Sequence, residues 1–310
     1  MANTKDIQRR IKSIGNTKKI TRAMEMVSAS KMRKAVEATL ATRTYANLGW
    51  ETLLNLTNAA GVNHPLLEVR KEIKSQAIVL ITSNRGLCGG FNASLISLVR
   101  AQIAADTVPT EIILVGKKGE SLAQTLTVAA QFPYPEAGLD AAAVMPIIRF
   151  VSEAYLSQKY DKIFVAYADF INAARQLPKL KQLLPVSTHS ADNGLGIMSA
   201  EDSVGSTEQF IADKAQKHSH RGKFSFEFIF EPSPELVLEA VVPRLLEIQL
   251  YQALLESLAS EHSARMTAMH QATEAANDLG VELTLSYNKA RQSAITAAIA
   301  EITAGVAALE

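Results

Sequence analysis

The sequence predicts an α/β protein: two long helical ends that run together and protrude from a central parallel α/β domain. Three observations carry this. All ten prolines fall between Pro65 and Pro243, and a proline inside a helix costs about 3 kcal/mol. The two ends left free of proline are rich in Ala, Leu, Met, Lys, Arg, Glu and Gln, the good helix formers. The middle instead alternates β-branched apolar runs with amphipathic stretches, the pattern of strands crossed over by helices. A helix over roughly Thr4–Thr57 would be about 80 Å long and one over Pro234–Val306 about 110 Å. A compact domain of the intervening length is only ~30–40 Å across, so neither rod can hide inside it.

The first rod, residues 1–64, carries Ile7, Ile11, Ile14, Ile20, Met24, Val27, Val36, Leu40, Leu48 and Leu56 at steps that mark one helical face. The step from Ile14 to Ile20 breaks the spacing and reads as a stutter. The face is narrow and the remaining surface charged, which suits a two-helix seam better than a globular core. Asn63-His64-Pro65 ends it.

The middle segment, residues 65–231, opens on the apolar run Ala77–Thr82, a Gly-rich turn and a helix over Asn92–Ala105. Glu111–Val115 and Lys162–Phe170 are further strands, and Gly116-Lys117-Lys118-Gly119 turns into another helix. Asp140–Tyr155 is helical. Phe224, Phe226, Phe228 and Phe230 alternate with other residues as a half-buried strand. The polar excursion 189–222, with a short helix near Thr207–Gln216, is long for a loop and is expected to be mobile or used for binding.

The second rod, residues 232–310, starts with Ser233 as N-cap and Pro234 at the first helical position. Its seam is Leu245, Ile248, Tyr251 or Gln252, Leu255, Leu258, Met266 and Met269. Gly280 weakens the helix and is where a bend is expected. Ile295, Ile299, Ile302 and Val306 follow at regular spacing among alanines, giving a slender, smooth tip.

Composition is that of an ordinary soluble protein, 47% hydrophobic and 20% charged with net charge +1. The balance conceals an asymmetry. Met1–Arg43 holds eleven Lys and Arg opposed only by Asp6, Glu25 and Glu37. A basic helical end implies an acidic partner. One cysteine, Cys88, excludes an internal disulfide and points to a reducing compartment. No run approaches a membrane span and the start lacks an apolar signal segment, so membrane contact is expected only through a partner.

The chemistry-bearing motifs are weak. Ser83–Asn92, with Arg85, Gly86, Cys88, Gly89 and Gly90, follows a strand and precedes a helix. Its G-x-x-G-G spacing is not a dinucleotide fingerprint, and no Walker lysine exists. It is read as a structural turn. Cys88 has no second cysteine, and His218 with His220 lacks a metal framework. His262 and His270 sit eight apart on a helix as surface or interface residues. No catalytic set, metal site or cofactor is expected. Near-absence of aromatics in the basic end disfavours a single-stranded nucleic-acid platform.

Ile11-Lys12-Ser13-Ile14-Gly15-Asn16-Thr17-Lys18-Lys19-Ile20-Thr21-Arg22-Ala23-Met24-Glu25-Met26-Val27-Ser28-Ala29-Ser30-Lys31-Met32 closely resembles the N-terminal signature of the gamma subunits of bacterial F-type ATP synthases. Arg85–Asn92, Tyr251–Glu256 with Ala259–Met266, and Tyr287–Gln292 with Ile295-Thr296 resemble the same family along the rest of the chain. Ala298 and Ala275 stand where that family usually has Glu and Asn, and 189–222 is longer than its compact bacterial form. The resemblance implies a long antiparallel coiled coil of the two terminal helices plus a central Rossmann-like α/β domain. It implies a noncatalytic rotor shaft, one copy per complex, on the cytoplasmic face of the inner membrane. The partners implied are the alpha and beta subunits of the catalytic hexamer, the epsilon subunit and the c-ring, which proton flow turns. On that reading Arg9, Arg10, Lys12, Lys18, Lys19 and Arg22, with Met24 nearby and Arg291, Gln292 and Thr296 on the opposing helix, face the alpha/beta ring. The alternative is a Rossmann-like nucleotide-dependent enzyme with a coiled-coil docking arm.

Overall fold

The computed structural model describes residues 4–60, 64–134, 141–186 and 231–307. The excursion 189–222, the strand expected over Phe224–Phe230 and His218 and His220 lie outside them. Helix α1 spans Thr4–Ala60, and the last helix, here α4, spans Pro234–Ala307. The chain divides into two compact units. One comprises Met1–Ala29 and Arg265–Glu310, the other Ser30–Ala264. Among the described residues no helix is long and apolar enough to cross a membrane.

The second unit is built on a five-stranded sheet in the order β3-β2-β1-β4-β5. Its strands are β1 (Gln76–Ile81), β2 (Thr110–Val115), β3 (Val128–Phe132), β4 (Lys162–Phe170) and β5 (Gln176–Leu184). Strands β1 to β4 are parallel, and β5 runs antiparallel to β4. Every residue of β1 is buried, as a central strand covered on both faces requires. Ile78, Leu80, Ile112 and Leu114 pack with Leu95 and Val99 of helix α2 (Phe91–Ala105). Ala77, Val79, Ile113 and Val165 pack instead with Ile148 and Val151 of helix α3 (Met145–Leu156) and with Val242, Leu246 and Leu250 of α4.

Strands β3 and β5 escape the sequence reading because both are edges. Val128-Ala-Ala-Gln-Phe132 has little β-branched content. Strand β5 carries Pro178, Lys179 and Lys181, which guard an edge but spoil a strand pattern. The sheet is therefore mixed rather than wholly parallel. The helix expected after Gly116–Gly119 is a 3-10 turn over Lys118–Gln124, and the one expected from Asp140 starts as a 3-10 turn at Ala141–Val144 before α3.

Helix α4 runs through Pro243 without interruption. It also runs unbroken through Gly280, where a bend was expected. From Leu245 to Ser263 it is buried nearly all round. Leu250, Ala253 and Leu254 face the sheet, while Leu258 and Ala259 pack with Met32, Ala35 and Val36 of α1 and with Phe170. Gln252, Glu256, Ser257 and Ser260 are buried as well. The Ser260 hydroxyl donates to Ala168 O at 3.0 Å, and the Ser263 hydroxyl donates to Ala173 O at 2.7 Å, tying α4 to the end of β4 and the hairpin beyond.

Two further features fix this unit. Gly116, at φ +92°, closes β2 so tightly that a Cβ there would lie 2.1 Å from Thr82 O. Arg70 donates to Asp161 Oδ1 at 2.7 Å, to Tyr160 O at 2.9 Å and to Tyr155 O at 2.6 Å, and it stacks over the Tyr155 ring. The backbone N–H groups of Lys74 and Ser75 donate to Asp161 Oδ2. Burial pushes the Asp161 carboxyl up, but the Arg70 hydrogen bond and the two backbone donors outweigh it and hold the group below its ordinary value of 3.8.

Gly116→Ala should cost on the order of 3 kcal/mol in urea unfolding, since both the left-handed backbone and the contact with Thr82 oppose it. Gly86→Ala, whose Cβ would meet only the flexible end of Lys118 at 3.9 Å, should be nearly neutral. Asp161, with its lowered value, contributes stability that is fully present above pH 3.8 and is lost as pH falls through that lower value. Asp161→Asn should therefore cost about 1–3 kcal/mol at neutral pH and flatten the acid limb of the stability curve. Urea midpoints of both chains between pH 2 and 7 check this.

Candidate partner-binding face

In the first unit the start of α1 packs antiparallel to the distal half of α4. Lys18 Nζ donates to Asn277 Oδ1 at 2.6 Å, Thr273 Oγ1 donates to Thr21 Oγ1 at 2.8 Å, and Glu25 Oε1 lies 3.2 Å from His270 Nδ1. As numbers rise on α1 they fall on α4, which fixes the direction and the register.

These contacts correct the seam read from the sequence. Along α1 the seam is Ile7, Ile11, Ile14, Lys18, Thr21, Glu25 and Ser28, alternating steps of four and three with no stutter. Ile20 and Val27, expected in it, are exposed. The irregularity is chemical rather than geometric: a regular heptad seam passes through a polar stretch. On α4 the matching positions are Met269, Thr273, Ala276, Gly280, Leu283, Tyr287 and Ala290, all buried or half-buried. His270 contacts Glu25 across the seam and, through Nε2, Glu274 at 3.4 Å.

The basic residues split into two groups. Arg22 pairs with Glu25 at 2.9 Å, and Lys18 is held by Asn277, so both serve the seam. Arg9 reaches Asp6 only at 3.8 Å and both are well exposed, a contact worth little in water. Arg10, Lys12 and Lys19 are exposed and form no ion pair among the described residues. Lys12 and Lys19 are seven apart and so share a helix face. Met24 is half-buried beside the seam.

Beyond Ala290 the helix changes character. Every residue from Arg291 to Ala304 is exposed, Gln292 and Thr296 included, and the Thr296 hydroxyl donates to Gln292 O. Ile295, Ile299 and Ile302 lie on one face of this stretch and are 53%, 56% and 68% exposed. Val306 belongs to residues whose side chains are not described. The three isoleucines stand bare on one helix face, with no described element of their unit covering them.

The turn after β1 is closed upon itself. Asn92, in the first turn of α2, accepts the Ser83 backbone N–H at 3.0 Å and donates to the Ser83 hydroxyl at 2.8 Å and to Cys88 Sγ at 3.2 Å. The Ser83 hydroxyl donates to Arg85 O at 2.7 Å. Leu87 and Gly89 take left-handed backbone, φ +63° and +55°. Cys88 is buried, and the Asn92 side chain ties the turn to Ser83 and Cys88, while Gly90 at the start of α2 receives no side-chain cap. Among the described residues no group of His, Cys, Asp or Glu is placed to hold a metal ion. Nothing in the sequence marks Asn92 as the closing residue, because its partners are set by the turn's geometry.

The family model described as ATP synthase matches residues 3–309. A protein of Symbiobacterium thermophilum called ATP synthase gamma chain is 38% identical over 312 residues, covering 99% of each chain. One of the same name from Herpetosiphon aurantiacus is 40% identical over 325 residues, covering 100% of this chain and 99% of that one. Among solved structures, a chain of the Euglena gracilis mitochondrial ATP synthase OSCP/F1/c-ring assembly aligns over 99% of this chain and 94% of its own. Its TM-score is 0.63 and its identity 17%. A chain of the Tetrahymena thermophila mitochondrial ATP synthase central stalk and c-ring aligns over 82% of this chain and 99% of its own, with TM-score 0.59 and 24% identity. These structural likenesses speak for the fold, and the full-length sequence matches speak for descent: the chain belongs to the family of ATP synthase gamma chains.

Proposed function

We propose that this chain is the central rotor shaft of an F-type ATP synthase, a noncatalytic subunit carrying torque between a proton-driven c-ring and the alpha/beta hexamer. The observation that carries the reading is the bare end of α4. Its exposed isoleucine face, with alanines between and no charge from Gln292 to Ala300, suits a bearing that slides inside an apolar sleeve. A face carrying charges would bind at fixed stations instead. Torque needs a second surface that grips, and the unpaired cations Arg10, Lys12 and Lys19 supply one for acidic beta-subunit segments.

On this reading Arg9, Arg10, Lys12, Lys18, Lys19, Arg22 and Met24, with Arg291, Gln292 and Thr296, face the alpha/beta ring. Lys18 and Arg22 do so while bracing the seam. Residues 1–64 and 232–310 are the coiled-coil helices, and 65–231, with the excursion 189–222, is the domain that meets epsilon and the c-ring. Arg85, Gly86, Cys88, Gly89 and Gly90 form a structural turn. The protein works at the cytoplasmic face of the inner membrane, held there by its partners. A nucleotide-dependent enzyme is disfavoured by the G-x-x-G-G spacing of Ser83–Asn92, which is not a dinucleotide fingerprint, and by the lack of a Walker Gly-Lys-Ser/Thr in the sequence.

The test is reconstitution with alpha and beta subunits and then with the membrane sector. Ile295→Glu with Ile299→Glu should lower ATPase recovery of the reconstituted alpha/beta complex by about tenfold, the effect of losing some 1.4 kcal/mol of contact. Arg10→Glu, Lys12→Glu and Lys19→Glu together should leave assembly intact and lower proton-coupled ATP synthesis several-fold. Normal synthesis in the triple variant would show that these cations are only a solvated face. ATPase activity of the chain alone would overturn the noncatalytic role.

A further inference from the structure

The described chain after α1 resumes in a turn whose side-chain acceptor is a histidine. His64 O accepts the Leu67 backbone N–H at 2.8 Å, so His64 to Leu67 form a β-turn with Pro65 at its second position, where proline is favoured. Pro65 has no N–H to give, and the first amide after His64 is that of Leu66. That amide donates to His64 Nδ1 at 3.1 Å. An imidazole thus takes the place usually held by Asn or Asp, whose side chains accept from the backbone two residues on. Leu66 is the anchor of the segment: its side chain is 2% exposed in the main core, and its carbonyl accepts the Val186 N–H at 3.0 Å beyond β5.

Nδ1 can accept only while it bears no proton, so the bond requires the neutral ring with its hydrogen on Nε2. Protonation puts an N–H on both ring nitrogens, and the Leu66 N–H then faces a donor. Burial pushes the His64 imidazole below its ordinary value of 6.5, against the pull of the Glu239 carboxylate on α4. Glu239 is the charged group acting on the ring among the described residues. A histidine lowered in this way contributes stability that is full above pH 6.5 and declines as pH falls through 6.5 towards its folded value.

We propose that His64 is an acid-sensitive latch at the exit of α1: neutral, it holds the Pro65–Leu67 turn closed on the core, and protonated, it releases it. Acidification then loosens the joint between α1 and the sheet without touching either. This device is independent of the rotor reading above and stands or falls on the isolated full-length chain.

Deuterium exchange at Leu66 and Leu67, corrected for the intrinsic pH dependence of amide exchange, tests it at pH 7.5 and 5.0. In the unaltered chain, protection should fall about tenfold at the lower pH, the size of one lost backbone hydrogen bond. His64→Asn, whose Oδ1 can accept as Nδ1 does but cannot titrate, should keep its protection at both values. His64→Ala should lack it at both. Equal protection at the two pH values in the unaltered chain would overturn the latch, as would a matching fall in His64→Asn. Unchanged protection in His64→Ala at pH 7.5 would show that the side chain holds nothing. If His64→Ala fails to fold, the comparison with His64→Asn still decides.

Discussion

Burial of helix α4 on nearly every side between Leu245 and Ser263 is the constraint on which the second unit depends. A helix buried on one face needs an apolar stripe, but one buried all round must satisfy whatever polar groups it carries. Between Gln249 and Ser263 those are Gln249, Gln252, Glu256, Ser257, Ser260, Glu261 and Ser263. Ser260 and Ser263 meet carbonyls at the end of β4 and in the hairpin after it. The sheet therefore docks on α4 by position-specific hydrogen bonds as well as by area. Apolar burial alone, at roughly 25 cal/mol per Å², would tolerate sliding by a turn. Hydroxyls facing fixed carbonyls do not.

The first unit solves a related problem with opposite means. Its seam is apolar towards the start of α1, at Ile7, Ile11 and Ile14, and polar where Lys18, Thr21 and Glu25 meet Asn277, Thr273 and His270. Polar seam residues cost stability and fix register, because any shift leaves them facing apolar or like-charged neighbours. For a chain proposed to carry torque, a fixed register matters more than maximal stability. Slippage of one helix along the other would dissipate the twist.

Much of this was legible in the sequence. The two long helices, the central strands β1, β2 and β4, and helix α2 follow from proline placement, β-branched runs and amphipathic spacing. The edges were not. Pro178 and the lysines of β5 protect an exposed ladder and so erase the pattern that would announce a strand. The seam between Ile14 and Ser28 is hidden for a similar reason: apolar periodicity locates apolar seams, and Ile20 and Val27 draw the face away from Thr21 and Glu25. Of the basic residues, the cluster is legible in the sequence but not its division into bracing and unpaired members, which depends on what stands opposite each.

By itself the sequence determined the elements whose cause is local: where helices can persist without proline, where chains must turn, and which end of α4 is Ala-rich and sparsely charged. Tertiary structure decided everything that depends on a partner across space. It assigned Lys18 and Arg22 to the seam and left Arg10, Lys12 and Lys19 to the solvent. It closed the Ser83–Asn92 turn through the Asn92 side chain, and gave His64 an amide to hold. Periodicity reports which residues share a face, but hydrogen bonds and ion pairs act over about 3 Å, a distance that only the packed chain sets.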